Sequence, residues 1–317
     1  DGKKIGRQES LCTPHIYDLN EYIGTGVHEM TICVSNVGYK TKGGHLTSPD
    51  TQTNWNGITG RIELIGYKNA HAENVMLWCD IHNKTVRVTA NITGGKSGKA
   101  VISAESFNSE RSHTPEVQSF EYTNGKLDAL YKMGDDCLLW SEHEPNLYKL
   151  KIDIDGDVSE HIIGMREFRT EGGKFTINGE KTFLRGKHDG MIFPKTAFAP
   201  TDLEEWLRIM KISKSYGMNH YRYHTCCPPE AAFVAADMLG IYMEPQLPFW
   251  GTITEEGEEN HNQEEQDFLV EEGFNMLKFF GNHPSYCMMS MGNELWGSKK
   301  ILNDIIGGYK KFDNRHL

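Results

Sequence analysis

The sequence predicts a multidomain protein in which antiparallel β structure passes, from Gly172 onward, into alternating strands and helices. Three observations predict it. Short stretches of alternating apolar and polar residues, separated by turn residues, fill the chain up to residue 171. Amphipathic helical stretches then alternate with short apolar runs, the sign of parallel βα units. The last such run, residues 285–291, is almost wholly apolar and ends in Gly292-Asn293-Glu294. It is too short for a helix and suits a buried parallel strand. In a βα barrel the carboxyl ends of the strands are where catalytic groups converge, so an amide and a carboxylate delivered together there are candidates for chemistry.

Residues 1–69 read as β structure. Ile16–Ile23 leads through Gly24-Thr25-Gly26 into the alternating run His28–Ser35, and a further strand is expected at Arg61–Tyr67. Residues 40–57, rich in Gly, Thr, Asn and Asp, suit a long surface loop. These strands are too few for a self-sufficient sandwich and resemble the later part of one. Between residues 70 and 171, strands are expected at Val75–His82, Thr85–Ile92, Lys99–Ser106, Glu116–Tyr122, Tyr148–Ile154 and His161–Phe168, with tight turns at Asn124-Gly125 and Asp155-Gly156. That number and spacing predict an immunoglobulin-like sandwich. The sequons at Asn83 and Asn91 are read as incidental.

In residues 172–317, Lys174–Ile177 and Lys181–Arg185 form a hairpin through Asn178-Gly179, and the second run ends at Gly186-Lys187-His188-Asp189. Thr201–Tyr216 is a helix with capping-box spacing at Thr201 and Glu204. Met218–His224 is a strand. Pro228-Pro229 opens the next helix and Gly240 closes it. Ile241–Leu247 is a strand, Gln263–Phe280 a helix, and Ile301–Phe312 begins another. Gly281, through a positive φ, and Pro284, which cannot continue a helix, are expected to end the helix before the 285–291 run. These units cannot close a barrel by themselves, so the chain reads as the first half of one and part of a longer protein.

The totals narrow the function class. A formal charge of −11 argues against an extended nucleic-acid surface. No apolar stretch is long enough to span a membrane. The seven cysteines, Cys12, Cys33, Cys79, Cys137, Cys226, Cys227 and Cys287, are odd in number and lack CxxC spacing, so buried free thiols are expected rather than a disulfide framework or zinc site. No GxGxxG follows a strand, which sets aside a dinucleotide-binding protein.

Several motifs in order carry a resemblance. Tyr17-Asp18-Leu19 with the following Gly turn and His28–Asn36, then Asn56-Gly-Ile-Thr-Gly-Arg-Ile-Glu-Leu, Leu139-Trp-Ser-Glu-His-Glu-Pro-Asn-Leu-Tyr, Gly164-Met-Arg-Glu-Phe-Arg, Phe175–Gly186 and above all Gly281–Glu294 resemble glycoside hydrolase family 2, which includes β-galactosidases, β-glucuronidases and β-mannosidases. The resemblance implies a partial sugar-binding jelly roll over 1–69, an immunoglobulin-like sandwich over 70–171, and the N-terminal half of a catalytic (β/α)8 TIM barrel over 172–317. It also implies a retaining exo-β-glycosidase acting on terminal sugars of oligo- or polysaccharides, with β-galactosidase the first reading.

By position in the motif, Glu294 would be the general acid/base, and Asn293 would bond the sugar 2-hydroxyl. The family's nucleophile is a second Glu on a later strand, beyond Leu317. His220, Arg222 and His224 alternate and so share one face of their strand. Arg222 matches the family's Arg that orients the nucleophile, unless it serves a structural salt bridge. His188 and Asp189 either touch the terminal sugar or scaffold their loop. Glu244 bonds a hydroxyl, buttresses Glu294, or pairs with Arg222. Trp250, placed in a loop, and Trp296 offer apolar platforms for a pyranose ring, with core packing the other reading, above all for Trp296. No cofactor is implied. Cys226-Cys227 beside His224 lacks further ligands, and Pro245–Gly251 lacks the acidic and His residues of the family's metal-using β-galactosidases, so no metal is expected. The partner is a carbohydrate; a uronate substrate would need a cation that residues 172–317 do not mark. A non-catalytic carbohydrate-binding protein is the alternative from another class. Exported relatives and seven unpaired cysteines point to opposite compartments, and the oligomeric state is not legible.

Overall fold

The computed structural model describes residues 2–35, 37–41, 44–47 and 57–317. Among the described residues no strand forms before His71. The strands expected at Ile16–Ile23, His28–Ser35 and Arg61–Tyr67 are extended or turn segments instead, and Val27, Met30, Ile32, Val34, Ile62, Leu64 and Ile65 lie exposed. Alternation supplies a face, but a strand also needs a hydrogen-bonded neighbour. Within 16–23 the backbone bonds run from Tyr22 and Ile23 to Leu19 O, which makes a turn. The loop expected over 40–57 lies largely outside the described residues, as do Asn36 and Asn56 of the motifs.

Seven antiparallel strands follow: β1 (His71–Asp80), β2 (Thr85–Thr93), β3 (Ser97–Ser106), β4 (Gln118–Thr123), β5 (Lys126–Lys132), β6 (Tyr148–Ile154) and β7 (Asp157–Ile163), in the order β1-β2-β5-β4-β3-β6-β7. β4 and β5 pair only at Thr123↔Lys126, beside their turn. The order therefore folds at that point into two layers, β1-β2-β5 against β4-β3-β6-β7, giving a β-sandwich. Val86, Val88, Leu127, Ala129 and Tyr131 of one layer share a core with Ala100, Ile102, Leu150, Ile152 and Ile154 of the other. Strand β5 was not expected, although Leu127, Ala129 and Tyr131 alternate inward along it. Asn124-Gly125 and Asp155-Gly156 have positive φ at both residues, as two-residue hairpins require.

The strand expected over His161–Phe168 is divided. β7 ends at Ile163, and β8 (Phe168–Glu171) starts a second sheet with β9 (Lys174–Ile177) and β10 (Glu180–Thr182). On β7 the His161 imidazole is pushed down to about 4, chiefly by burial and against the pull of Glu160. A histidine lowered in the folded state lends stability that is complete above about pH 6.5 and is lost as the pH falls toward 4. Thermal unfolding across that range should show a smaller loss in His161→Gln than in the parent chain.

The parallel part begins at β11 (Gly186–Asp189), so the expected run 181–185 is interrupted and His188 and Asp189 lie within a strand rather than after one. α1 (Leu203–Ser215), β12 (His220–Tyr223), α2 (Glu230–Leu239), β13 (Tyr242–Glu244), β14 (Trp250–Ile253), α3 (Gln263–Phe280), β15 (Asn293–Gly297) and α4 (Lys299–Phe312) follow. Strands β11, β12 and β13 pair in parallel, with α1 and α2 as the returning helices. Asp202, not Thr201, caps α1, accepting from Glu205 N at 2.8 Å. Ser298 caps α4 and starts it two residues earlier than expected.

Gly281 ends α3 at φ −60°, not in the left-handed region. Space explains the glycine: a Cβ would strike Leu277 O and sit 2.6 Å from Arg315 Nη2. The apolar run after it is buried at Tyr286 and Cys287 but is not a continuous strand. It touches β13 and the segment after it by bridges at Met243↔Tyr286 and Gln246↔Ser290. Between these bridges Cys287 N and Met288 N both turn to Met243 O, so the ladder is bulged.

Two motifs noted in the sequence join the sandwich to the parallel part. Arg166 sends Nε to Pro284 O (2.9 Å), Nη1 to Arg315 O (2.7 Å) and Nη2 to Tyr286 O (2.6 Å). A Cβ on Gly164 would lie 2.8 Å from Pro284. Trp140, fully buried, donates Nε1–H to Asp237 O at 2.8 Å.

Candidate functional site

Register aligns the site. His188 of β11, Arg222 of β12 and Glu244 of β13 are direct neighbours across the parallel ladder. His220 and Arg222, two residues apart, both face Glu244, while Tyr221 and Tyr223 point into the core. Arg222 Nη2 donates to Asn293 Oδ1 at 2.9 Å, and its Nε lies 3.8 Å from Glu244 Oε1. His220 Nε2 is 3.3 Å from Glu244 Oε2 but is not aligned as a hydrogen bond. One guanidinium thus orients the Asn293 amide and neighbours a carboxylate, so the two structural readings of Arg222 and Glu244 are both represented in one cluster.

Asn293 reaches this place because β15 pairs with β14, a parallel pair the sequence reading did not anticipate. Trp250 is the register partner of Asn293 and therefore stands in a strand, not in a loop. Asn293 N donates to Phe249 O at 3.0 Å. Gly292 precedes it at φ 129°, and a Cβ there would strike Phe249 O. Only glycine lets the two backbones come this close. Glu294 follows in the left-handed region at φ 47°, a conformation that costs a non-glycine residue about 1–3 kcal/mol. Its side chain is exposed. Trp296, 72% exposed, is a surface residue rather than a core one.

A second group of rings adjoins the first through Trp250. His224, just past β12, donates its backbone N–H to Asp189 O at 2.8 Å. Its ring is 5.0 Å from His188 and 5.9 Å from Trp250, both edge-on. Burial above all, then His45, His188 and Arg222, push the His224 imidazole down to about 4, so it is uncharged near neutral pH. Asp189 is buried and fully engaged: Lys187 Nζ lies 3.0 Å from one carboxylate oxygen, and Met191 N donates to the other at 2.8 Å. It shapes the end of β11 and presents no free oxygen to the other site residues.

One residue of this wall was not foreseen. His45, from the N-terminal segment, lies 4.5 Å from the His224 ring and 6.2 Å from Trp250. A single His in a glycine-rich stretch carries no sequence signal; only long-range packing brings it here. Cys226 and Cys227 are buried, and burial holds both thiols well above their usual range. Among the described residues no group of three or more His, Cys, Asp and Glu side chains could hold a metal ion, and no helix is long and apolar enough to cross a membrane.

The sequence model of the glycosyl hydrolases family 2 matches residues 70–166. The β-galactosidase of Halalkalibacterium halodurans is 24% identical over 96% of this chain and 31% of its own length. The protein named putative β-glucuronidase of Formosa agariphila is 26% identical over 93% of the chain and 36% of its own length. The chain therefore spans about a third of the length of these relatives. Among solved structures, a glycosyl hydrolase family 2 member from Bacteroides cellulosilyticus superposes with a TM-score of 0.61 at 21% identity, covering 78% of this chain and 34% of that one. The β-glucuronidase of Parabacteroides merdae gives 0.58 at 17% identity, covering 78% and 33%. A sandwich whose residues 70–166 match the family's sequence model, relatives aligned along almost the whole chain and a fold shared with solved members agree in one likeness, to glycoside hydrolase family 2.

Proposed function

We propose that the chain is part of a retaining exo-β-glycosidase, with a β-galactoside the first substrate to test. The observation that carries the reading is the Arg222–Asn293 hydrogen bond, which fixes an amide immediately before Glu294 at a backbone position that only Gly292 makes accessible. The β-galactosidases among the relatives support the choice of sugar.

In this reading, 70–171 is an immunoglobulin-like domain, 172–317 the first half of a TIM barrel, and 1–69 a portion of a sugar-binding jelly roll. Glu294 gives its proton to the glycosidic oxygen as the bond from that oxygen to the anomeric carbon breaks. A carboxylate nucleophile, a Glu beyond Leu317 in the full-length protein, bonds the same carbon. Glu294, now ionised, takes a proton from water as that water attacks the carbon and releases the nucleophile. Asn293 bonds the 2-hydroxyl, and Arg222 holds Asn293 in place. His188, His224 and Trp250 form the wall beside them. Asp189 and Glu244 act through the groups they hold, and Trp296 offers an exposed face for the rest of the substrate.

The test is turnover of aryl β-galactosides, β-glucuronides and β-mannosides by the full-length protein, with the product anomer read by NMR. Release of a β-configured sugar supports the reading. No turnover of any glycoside, or release of the inverted anomer, overturns it. Gly292→Ala should move Asn293 and Glu294 together: a misplacement near 1 Å costs about 100-fold in turnover. Turnover within twofold of the parent would remove the role given to this glycine.

A further inference from the structure

We propose that His45 is a specificity-determining residue that donates a hydrogen bond from Nε2 to a hydroxyl of a neutral terminal pyranose; this rests on the glycosidase reading above. The mount is rigid. His45 N donates to Thr225 Oγ1 at 2.7 Å, and Thr225 N in turn donates to the buried Gln246 Oε1 at 2.9 Å. Thr41 Oγ1 donates to Pro248 O at 3.2 Å. A Cβ on Gly44 would lie 2.7 Å from the Pro248 carbonyl, so the residue before His45 has to be glycine for the chain to seat there.

The Cε1–Nε2 edge of the ring then faces Gly190. A methyl group there would lie 3.5 Å from Ile192 Cδ1, 3.6 Å from His45 Cε1 and 3.7 Å from its Nε2, in ordinary contact, so the missing side chain leaves room for a methyl group at that edge. The opposite nitrogen, Nδ1, is buried without a hydrogen-bond partner among the described residues. An unpaired buried N–H is rarer than an unpaired acceptor, which assigns the proton to Nε2, the nitrogen beside that space. His188, exposed on the neighbouring strand, and His224 complete the rim. Burial first, then His188, hold His45 below its usual value, and His224 is lowered likewise. His45 and His224, both lowered, supply hydroxyl donors and acceptors rather than a cation for a uronate.

The experiment measures kcat and KM of the full-length protein on the glycoside panel, together with the galactoside lacking single hydroxyls. His45→Leu should lose about 10- to 100-fold in kcat/KM on the preferred neutral glycoside. It should lose nothing on the one deoxy substrate whose hydroxyl is missing, and His45→Gln should recover part of the loss. Gly190→Ala, which the fold can accommodate, should raise KM for the preferred sugar and leave thermal stability unchanged. Equal losses on every substrate, or a fall in Tm with unchanged selectivity, would make His45 a packing residue and overturn the inference. That outcome is distinct from failure of the glycosidase reading, in which the parent protein would turn over none of the panel.

Discussion

Glu294→Gln is expected to lower kcat/KM on poorly activated aryl glycosides by about 10²- to 10⁴-fold, the contribution of a positioned general acid. The substitution keeps the shape of the side chain and removes its transferable proton. Backbone geometry should survive, because the φ of 47° at residue 294 is imposed by neighbours: Asn293 N on Phe249 O, Ser290 Oγ on Gly292 O at 3.0 Å, and the β14–β15 pairing. Leaving-group dependence separates chemistry from binding. A phenol that leaves readily needs little protonation, so the loss on its glycoside should be smaller in the bond-breaking step, while sugar affinity stays near that of the parent. If turnover of the poorly activated substrate is unchanged, Glu294 is not the acid. A non-catalytic carbohydrate-binding protein would show no turnover in either form and unaltered binding.

Arg166→Met is expected to destabilise the fold by about 3 kcal/mol or more. Hydrogen bonds to a charged donor contribute about 1.5–3 kcal/mol each, and the three made by this guanidinium share one donor group, so they do not add in full. The residue is buried, and its fork satisfies the carbonyls of Pro284, Tyr286 and Arg315 together. Methionine fills the volume but donates to none of them, leaving Tyr286 O to the His316 ring and Pro284 O to the Cys287 thiol alone. Lysine restores the charge but, lacking the planar fork, cannot reach all three. The check is the urea midpoint of parent, Arg166→Met and Arg166→Lys, with the lysine variant between the other two. A midpoint unmoved by methionine would show that these three hydrogen bonds do not hold the sandwich to the parallel part. Because Pro284 and Tyr286 begin the run that ends at Gly292-Asn293-Glu294, a loosened junction should also lower turnover.

Local signals were read where a local cause acts. Helix α3 begins and ends where its cap and apolar face place it, with Asn262 accepting from Glu265 N at 3.2 Å. The Asn-Gly and Asp-Gly turns have positive φ at both positions because the hairpin twist demands it. Where two adjacent residues could cap, as Thr201 and Asp202 before α1, the sequence did not distinguish them. Strand β5 turns Leu127, Ala129 and Tyr131 inward, and Leu130 lies exposed on its polar face.

The sequence by itself determined the hairpin through Asn178-Gly179, the buried character of 285–291, and the adjacency of Asn293 and Glu294, since each depends on periodicity or on neighbours in the chain; the change from antiparallel to parallel pairing, expected at Gly172, falls at Gly186. Only the tertiary structure decided that residues 16–35 and 61–67 make no ladder among the described residues, that Gly281 is required by space rather than by φ, and that Asn293 is carried on a β14–β15 pair. It also decided that Arg222 meets Asn293 across 71 residues and that His45 meets His224 across a still longer span. The physical reason is common to these: a hydrogen-bonded partner, a close approach and a shared wall are properties of pairs distant in sequence, and a pattern read along one chain holds no record of the pair.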